Sequence, residues 1–231
     1  GCAGPDHPSH FQKILCVFRL AGYPIGNRPR LRVPRKSQSG NTMNGLDNRS
    51  IQVFVTDTYG RPRWLDSTLL ADVGFENFEA LLPYDDTLTI RLLDAIGVTL
   101  DKPVETVLED LGTFLVSNPQ LEPLRRLLRF GGVNFLEFLY SLDDLRDRAR
   151  LAVPDLDLPA LEVIEQGGGV FEICIRWSTE GFGHVLTGIL RAMADDYGAL
   201  VLLDHLGQRE GCERLQVTLL EADFAKGKAF D

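Results

Sequence analysis

The sequence is poor in the residues that anchor the commonest small-molecule chemistry. Among 231 residues it has four cysteines and four histidines, and no two cysteines stand at the C-x-x-C spacing of a zinc ribbon or a thioredoxin-like motif. Cys2, Cys16, Cys174 and Cys212 are too sparse for a disulfide scaffold. They read as buried or incidental thiols and point to a reducing, cytoplasmic location. No stretch approaches the roughly 18 consecutive apolar residues of a membrane helix, so no membrane association is expected. A phosphate loop is missing too, since Gly181-Phe182-Gly183-His184 has neither the glycine spacing nor the lysine. There is no nucleophile elbow and no ordered Ser/His/Asp or Cys/His set, which argues against an enzyme.

What is present is ordinary globular material, 44% hydrophobic and 25% charged, long enough for one sizeable core. Charge is divided unevenly. Residues 1–42 carry seven bases and one acid, a net of +6, while the 17 bases and 32 acids that follow leave −15. So acidic a body repels phosphate backbones and excludes nucleic acid as a partner.

The first 42 residues hold five prolines and no sustained period, so they read as a basic, disordered extension, either an electrostatic tether or an upstream translation artefact. From Met43 the spacing is helical, with Leu46, Ile51, Phe54 and Val55 on one face and Tyr59-Gly60 ending it. Further helices are predicted at 61–72, 75–82, 87–97, 103–117, 121–129 and 132–149. After Pro154 and Pro159 the period changes. Leu161 to Glu165 and Val170 to Trp177 form a hairpin turned by Gly167-Gly168-Gly169, a helix follows from Gly181 to Tyr197, and strands follow near 199–206 and 213–220. The fold class is therefore α+β: a helical part over 43–150, then a four-stranded antiparallel sheet with one long helix packed on it over 155–231. The pairs Asp143-Asp144 and Asp195-Asp196 are expected on solvated helix faces, with a partner for the second pair because it lies near a helix C-terminus.

The sequences on these elements resemble the H-NOX family, the haem-nitric oxide/oxygen-binding domains of bacterial sensors and of soluble guanylate cyclase. Met43-Asn44-Gly45-Leu46-Asp47-Asn48-Arg49 with Tyr59-Gly60 is similar to its first helix, and Tyr84-Asp85-Asp86 to its middle segment. Leu128-Arg129-Phe130-Gly131-Gly132 with Phe135-Leu136-Glu137-Phe138-Leu139 leads into its haem-side helix. The resemblance runs from Met43 to about Phe230. It implies a gas-sensing signal-transduction domain carrying haem b, with no activity of its own.

The resemblance also assigns positions. The family's pattern [N/S]-L-D-x-L-H falls on Ser141-Leu142-Asp143-Asp144-Leu145, and the proximal histidine position holds Arg146. A guanidinium stays protonated and has no lone pair for iron. The propionate motif Y-x-S-x-R falls on Arg176, Ser178 and Glu180, so only the serine matches. Glu180 repels a propionate and Arg176 compensates in part. Pro159 takes the place of the proline that presses on the porphyrin. Val185 and Ile189 lie on the helix covering the distal side, and with Val185 in place of a distal tyrosine any bound haem would favour nitric oxide over oxygen. Tyr140 faces away from Arg146. His184, which opens that helix, is the one substitute iron ligand the sequence offers, against an ordinary partly buried histidine.

Three readings follow. In the first, the domain keeps the fold without haem ligation and signals through a partner, which by family resemblance is a histidine kinase or a cyclic-dinucleotide enzyme. The alternative is a haem-dependent nitric oxide sensor with a non-standard iron ligand or none. The third is a partner domain that pairs with a haem-bearing homologue.

Overall fold

A computed structural model describes residues 42–79, 82–152, 158–177 and 181–228. The chain divides into two compact units, one ending at Asp101 and the other beginning at Lys102. The expected disordered extension, Ser178 and Glu180 lie outside the described residues, apart from Thr42 at the extension's end.

The first unit is built from α1 (Gly45–Tyr59), α2 (Arg61–Leu70) and α3 (Asp86–Leu100), with a two-stranded antiparallel ribbon of β1 (Thr42–Asn44) and β2 (Pro83–Asp85). Ile51, Phe54 and Val55 are buried as their spacing predicts. Asp85 caps α3 by accepting the Thr87 N–H at 2.8 Å, which satisfies a donor the helix leaves unpaired.

The helix expected at 75–82 does not form. Its backbone groups are taken by side chains instead: Trp64 Nε1 donates to the Glu76 carbonyl at 2.8 Å, Phe78 N–H to Gln52 Oε1 at 3.0 Å, and Glu79 N–H to the Tyr84 hydroxyl at 3.0 Å. Phe75, Phe78 and Tyr84 pack edge-on or tilted around this knot. Side-chain hydrogen bonding to the backbone competes with a helical ladder, and here it prevails.

The second unit opens with α4 (Val104–Ser117) and, after a single 3₁₀ turn, α5 (Glu122–Arg129). The helix expected over 132–149 is two helices, α6 (Phe135–Tyr140) and α7 (Leu145–Ala152), divided by a turn at 141–144. Ser141 Oγ donates back to the Phe138 carbonyl at 2.7 Å. Arg148 Nη2 donates to the Ser141 carbonyl at 2.9 Å and to its hydroxyl at 3.2 Å. These bonds consume the carbonyl that a continuous helix would have used. Asp143 and Asp144 therefore sit on a turn rather than on a helix face.

The sheet is antiparallel in the order β3 (Ala160–Gly167), β4 (Val170–Arg176), β6 (Cys212–Glu221), β5 (Leu200–Arg209). Register places Ile173 opposite Leu215 and Phe171 opposite Val217, all buried. The long helix α8 (Phe182–Tyr197) lies against β5 and β6 and is stopped by Gly198 in the left-handed conformation. β5 runs to Arg209, so His205 stands inside the strand, beside a bulge, rather than at its end.

The cysteine reading is corrected as well. Cys174 and Cys212, both buried, form a disulfide between β4 and β6 with Cα atoms 5.7 Å apart. Two cysteines 38 residues apart share no sequence motif, and only the strand register brings them together. The inference from cysteine to a reducing compartment loses its footing with them.

Candidate functional site

Arg146 is the second residue of α7, half-buried, with its Nε screened from solvent. A cation one residue inside a helix start stands at the positive end of the peptide dipoles, which disfavours it there. The turn before it is held from both sides. Asp143 Oδ1 accepts the Val163 N–H of edge strand β3 at 2.7 Å, and Arg148 binds Ser141 as described. Burial pushes the Arg148 guanidinium below its ordinary range, with Asp144 acting in the opposite direction. Leu142, Leu145 and Ala149 are buried on the inner side. Tyr140, on the helix before the turn, points elsewhere: its hydroxyl donates to Glu165 Oε2 at 2.6 Å and its ring sits edge-on to Phe171.

The other assigned positions are dispersed. Pro159 is buried just before β3. Arg176 is exposed at the end of β4 and pairs with Glu162 on β3 at 2.8 Å. Val185 and Ile189 are buried on α8, at a close crossing with α4. A Cβ on Gly112 would stand 2.0 Å from the Val185 carbonyl oxygen, and one on Gly188 would stand 1.9 Å from the Glu109 carbonyl oxygen. The two helices meet through backbone at these glycines, which fixes where Val185 and Ile189 point.

The donor set at these positions does not fit an iron porphyrin ligated in the family's manner. Arg146 has no lone pair to give. His184 stands in a group with His205 and Glu109. Its ring stacks on His205 with centroids 4.1 Å apart, and its Nδ1 lies 3.8 Å from Glu109 Oε1.

At the far end of α8 the Asp195-Asp196 expectation divides. Asp195 is exposed, but Asp196 is buried rather than solvated. The anticipated partners are Arg125, whose Nε lies 2.6 Å from Asp196 Oδ2, and Lys228, whose Nζ lies 3.2 Å from Oδ1. The hydrogen bond to Asp196 raises the Arg125 pKa. Beside them Tyr197 donates to the Gly132 carbonyl at 2.9 Å, under the Arg129 guanidinium 4.5 Å from its ring centroid.

Comparison with known proteins fits this architecture. The family model described as haem-NO-binding matches residues 44–205, well over half of the chain. The chain belongs to the haem-NO-binding family. Among H-NOX structures, the Fe(II) unliganded protein from K. algicida, a variant, superposes with a TM-score of 0.63 at 16% identity, over 78% of this chain and 97% of that one. A variant of T. tengcongensis H-NOX gives 0.61 at 16% identity, over 78% and 99%. These likenesses show the fold, including the four-stranded antiparallel sheet. Curated relatives include the soluble guanylate cyclase gcy-31 of Caenorhabditis elegans, 23% identical over 67% of this chain. Soluble guanylate cyclase 89Db of Drosophila melanogaster is 20% identical over 68%. The H-NOX-like chain spans only 22% and 24% of those two proteins.

One group escaped the sequence reading altogether. Glu213 carries no signal of its own in a strand of mixed polarity. It meets His184 and His205 only because β6 pairs with β5 under the first turn of α8.

Proposed function

We propose that this chain is a signalling domain of the haem-NO-binding family that acts through a partner protein and has lost protein ligation of haem iron. The observation that carries the reading is Arg146 at the position where the family resemblance expects the proximal histidine. Its guanidinium cannot replace an imidazole as a ligand. Relatives named soluble guanylate cyclases are several times longer than the matched segment. This supports a regulatory part whose output is carried by another module: a cyclase, or by family resemblance a histidine kinase or a cyclic-dinucleotide enzyme. Among the described residues no helix is long and apolar enough to cross a membrane.

The test is an absorption spectrum of the purified full chain with a pyridine haemochrome assay, followed by titration with haemin at micromolar concentration. The expected result is no Soret band after purification and no saturable uptake. Stoichiometric haem retained through purification would overturn the reading.

A further inference from the structure

We propose that His184, His205 and Glu213 form a binding site for a divalent transition metal of the zinc class. One ligand atom from each of the three lies within 4.8 Å of the other two. Three separate elements supply them: the first turn of α8, the middle of β5 and the start of β6.

The carboxylate is the decisive member. Glu213 is 4% exposed, and among the described residues no lysine or arginine lies within ion-pair distance of it. Its two contacts are the Gly183 N–H, which donates to Oε2 at 2.9 Å, and His205 Nε2, 2.7 Å from Oε1. A buried carboxylate needs a positive partner, which either a protonated His205, 2.7 Å away, or a metal ion supplies. A metal ion entering between Oε1 and Nε2 supplies that charge while the Gly183 N–H goes on holding Oε2.

His184 completes the set from the side. With Nε2 turned toward the ion, its Nδ1 faces the Glu109 carboxylate, 3.8 Å away and itself held by Arg191 at 2.8 Å. The 3.8 Å separation is too long for a hydrogen bond, and closing it on metal binding would give the outer-shell contact that orients a metal-binding imidazole. His184 Nδ1 is otherwise buried without a hydrogen-bond partner.

Glycine at position 183 leaves room for the group as it stands. A Cβ there would lie 2.5 Å from Glu213 Oε1 and 2.7 Å from His205 Nε2, where the ligand atoms converge.

Two imidazole nitrogens and one carboxylate oxygen suit zinc and its neighbours rather than calcium or magnesium, which take oxygen sets. Tetrahedral bonds of about 2.0–2.1 Å place ligand atoms about 3.3 Å apart. Binding therefore spreads His205 from Glu213 slightly and turns the His184 ring out of its stack on His205, because near-parallel rings cannot both aim a lone pair at one ion. Cys174 and Cys212, next to Glu213, are tied to each other and take no part. A water molecule completes the coordination.

The experiment is titration of chelator-treated full-length protein with Zn(II) against a chromophoric competitor, with Co(II) as the spectroscopic probe. The expected result is one equivalent bound per chain, visible Co(II) bands of four- or five-coordinate type, and a zinc-dependent rise in melting temperature. His184→Ala and Glu213→Gln should each weaken binding by about 100-fold or more, beyond the 10–100-fold cost of losing an outer-shell partner. Absence of saturable zinc uptake, or uptake at unchanged affinity in a folded His184→Ala protein, would overturn the proposal. The latter would place the metal on other ligands such as His7, His10 or the N-terminal cysteines. Should Glu213→Gln fail to fold, His184→Ala still decides, because it leaves the His205–Glu213 contact intact.

Discussion

Asp196 shows how a single buried charge organises one end of a helix. Its carboxylate sits in the last turn of α8, where peptide dipoles disfavour a negative charge. Arg125 and Lys228, drawn from two other segments, make the position tenable. Arg125→Ala leaves an almost fully buried carboxylate with Lys228 alone, so a loss of about 3 kcal/mol is expected in urea denaturation, the low end for breaking a buried pair. Tyr197, the next residue, responds to pH instead. Burial is the main cause that raises its phenol pKa, with Arg129 opposing and Asp196 assisting. A pKa raised on folding means that the folded state favours the neutral phenol. Its contribution is complete below the ordinary tyrosine value of about 10 and is lost as pH climbs through the higher folded value. Stability should therefore be insensitive to this group at neutral pH and decline in strong alkali, and Tyr197→Phe should shrink that decline when unfolding is followed across the alkaline range.

At the scale of elements, the crossing of α4 and α8 is the tightest feature of the second unit. Gly188→Ala would ordinarily favour a helix by about 1 kcal/mol. At this site the added methyl group meets the Glu109 carbonyl and the Thr113 amide, and backbone cannot yield as a side-chain tip can. A net destabilisation of about 2–3 kcal/mol is expected from thermal or chemical melting, so the sign of the change alone tests the crossing. Sequence periodicity foresaw both helices, the hairpin around Gly167-Gly168-Gly169 and the two closing strands, because each has a regular apolar face. It failed at 75–79 and at 141–144. There, Gln52, Trp64, Tyr84 and Arg148 reach in from distant or neighbouring positions to take backbone groups, and no local pattern records that. The same limit hid the His184–His205–Glu213 group. Arg146 was legible because it departs from a motif, whereas Glu213 acquires its setting only from strand register.

At the scale of the whole molecule, the family frame and the altered residues belong together. Buried leucines and phenylalanines sustain α6, α7 and the sheet, while the proposed function puts Arg146, which has no lone pair for iron, at a position that would face haem. A fold can survive such a change because its stability resides in the core rather than in the site. The disulfide adds a constraint of another kind. Cys174 and Cys212 lie 38 residues apart, and the ring they close contains the whole of α8 and β5, with Glu213 one residue beyond it. Such a crosslink restricts the unfolded chain above all. An oxidised chain that has lost its structure therefore still keeps His184, His205 and Glu213 on one short tether. Each finds the others at a high effective concentration, and refolding begins with the three already neighbours.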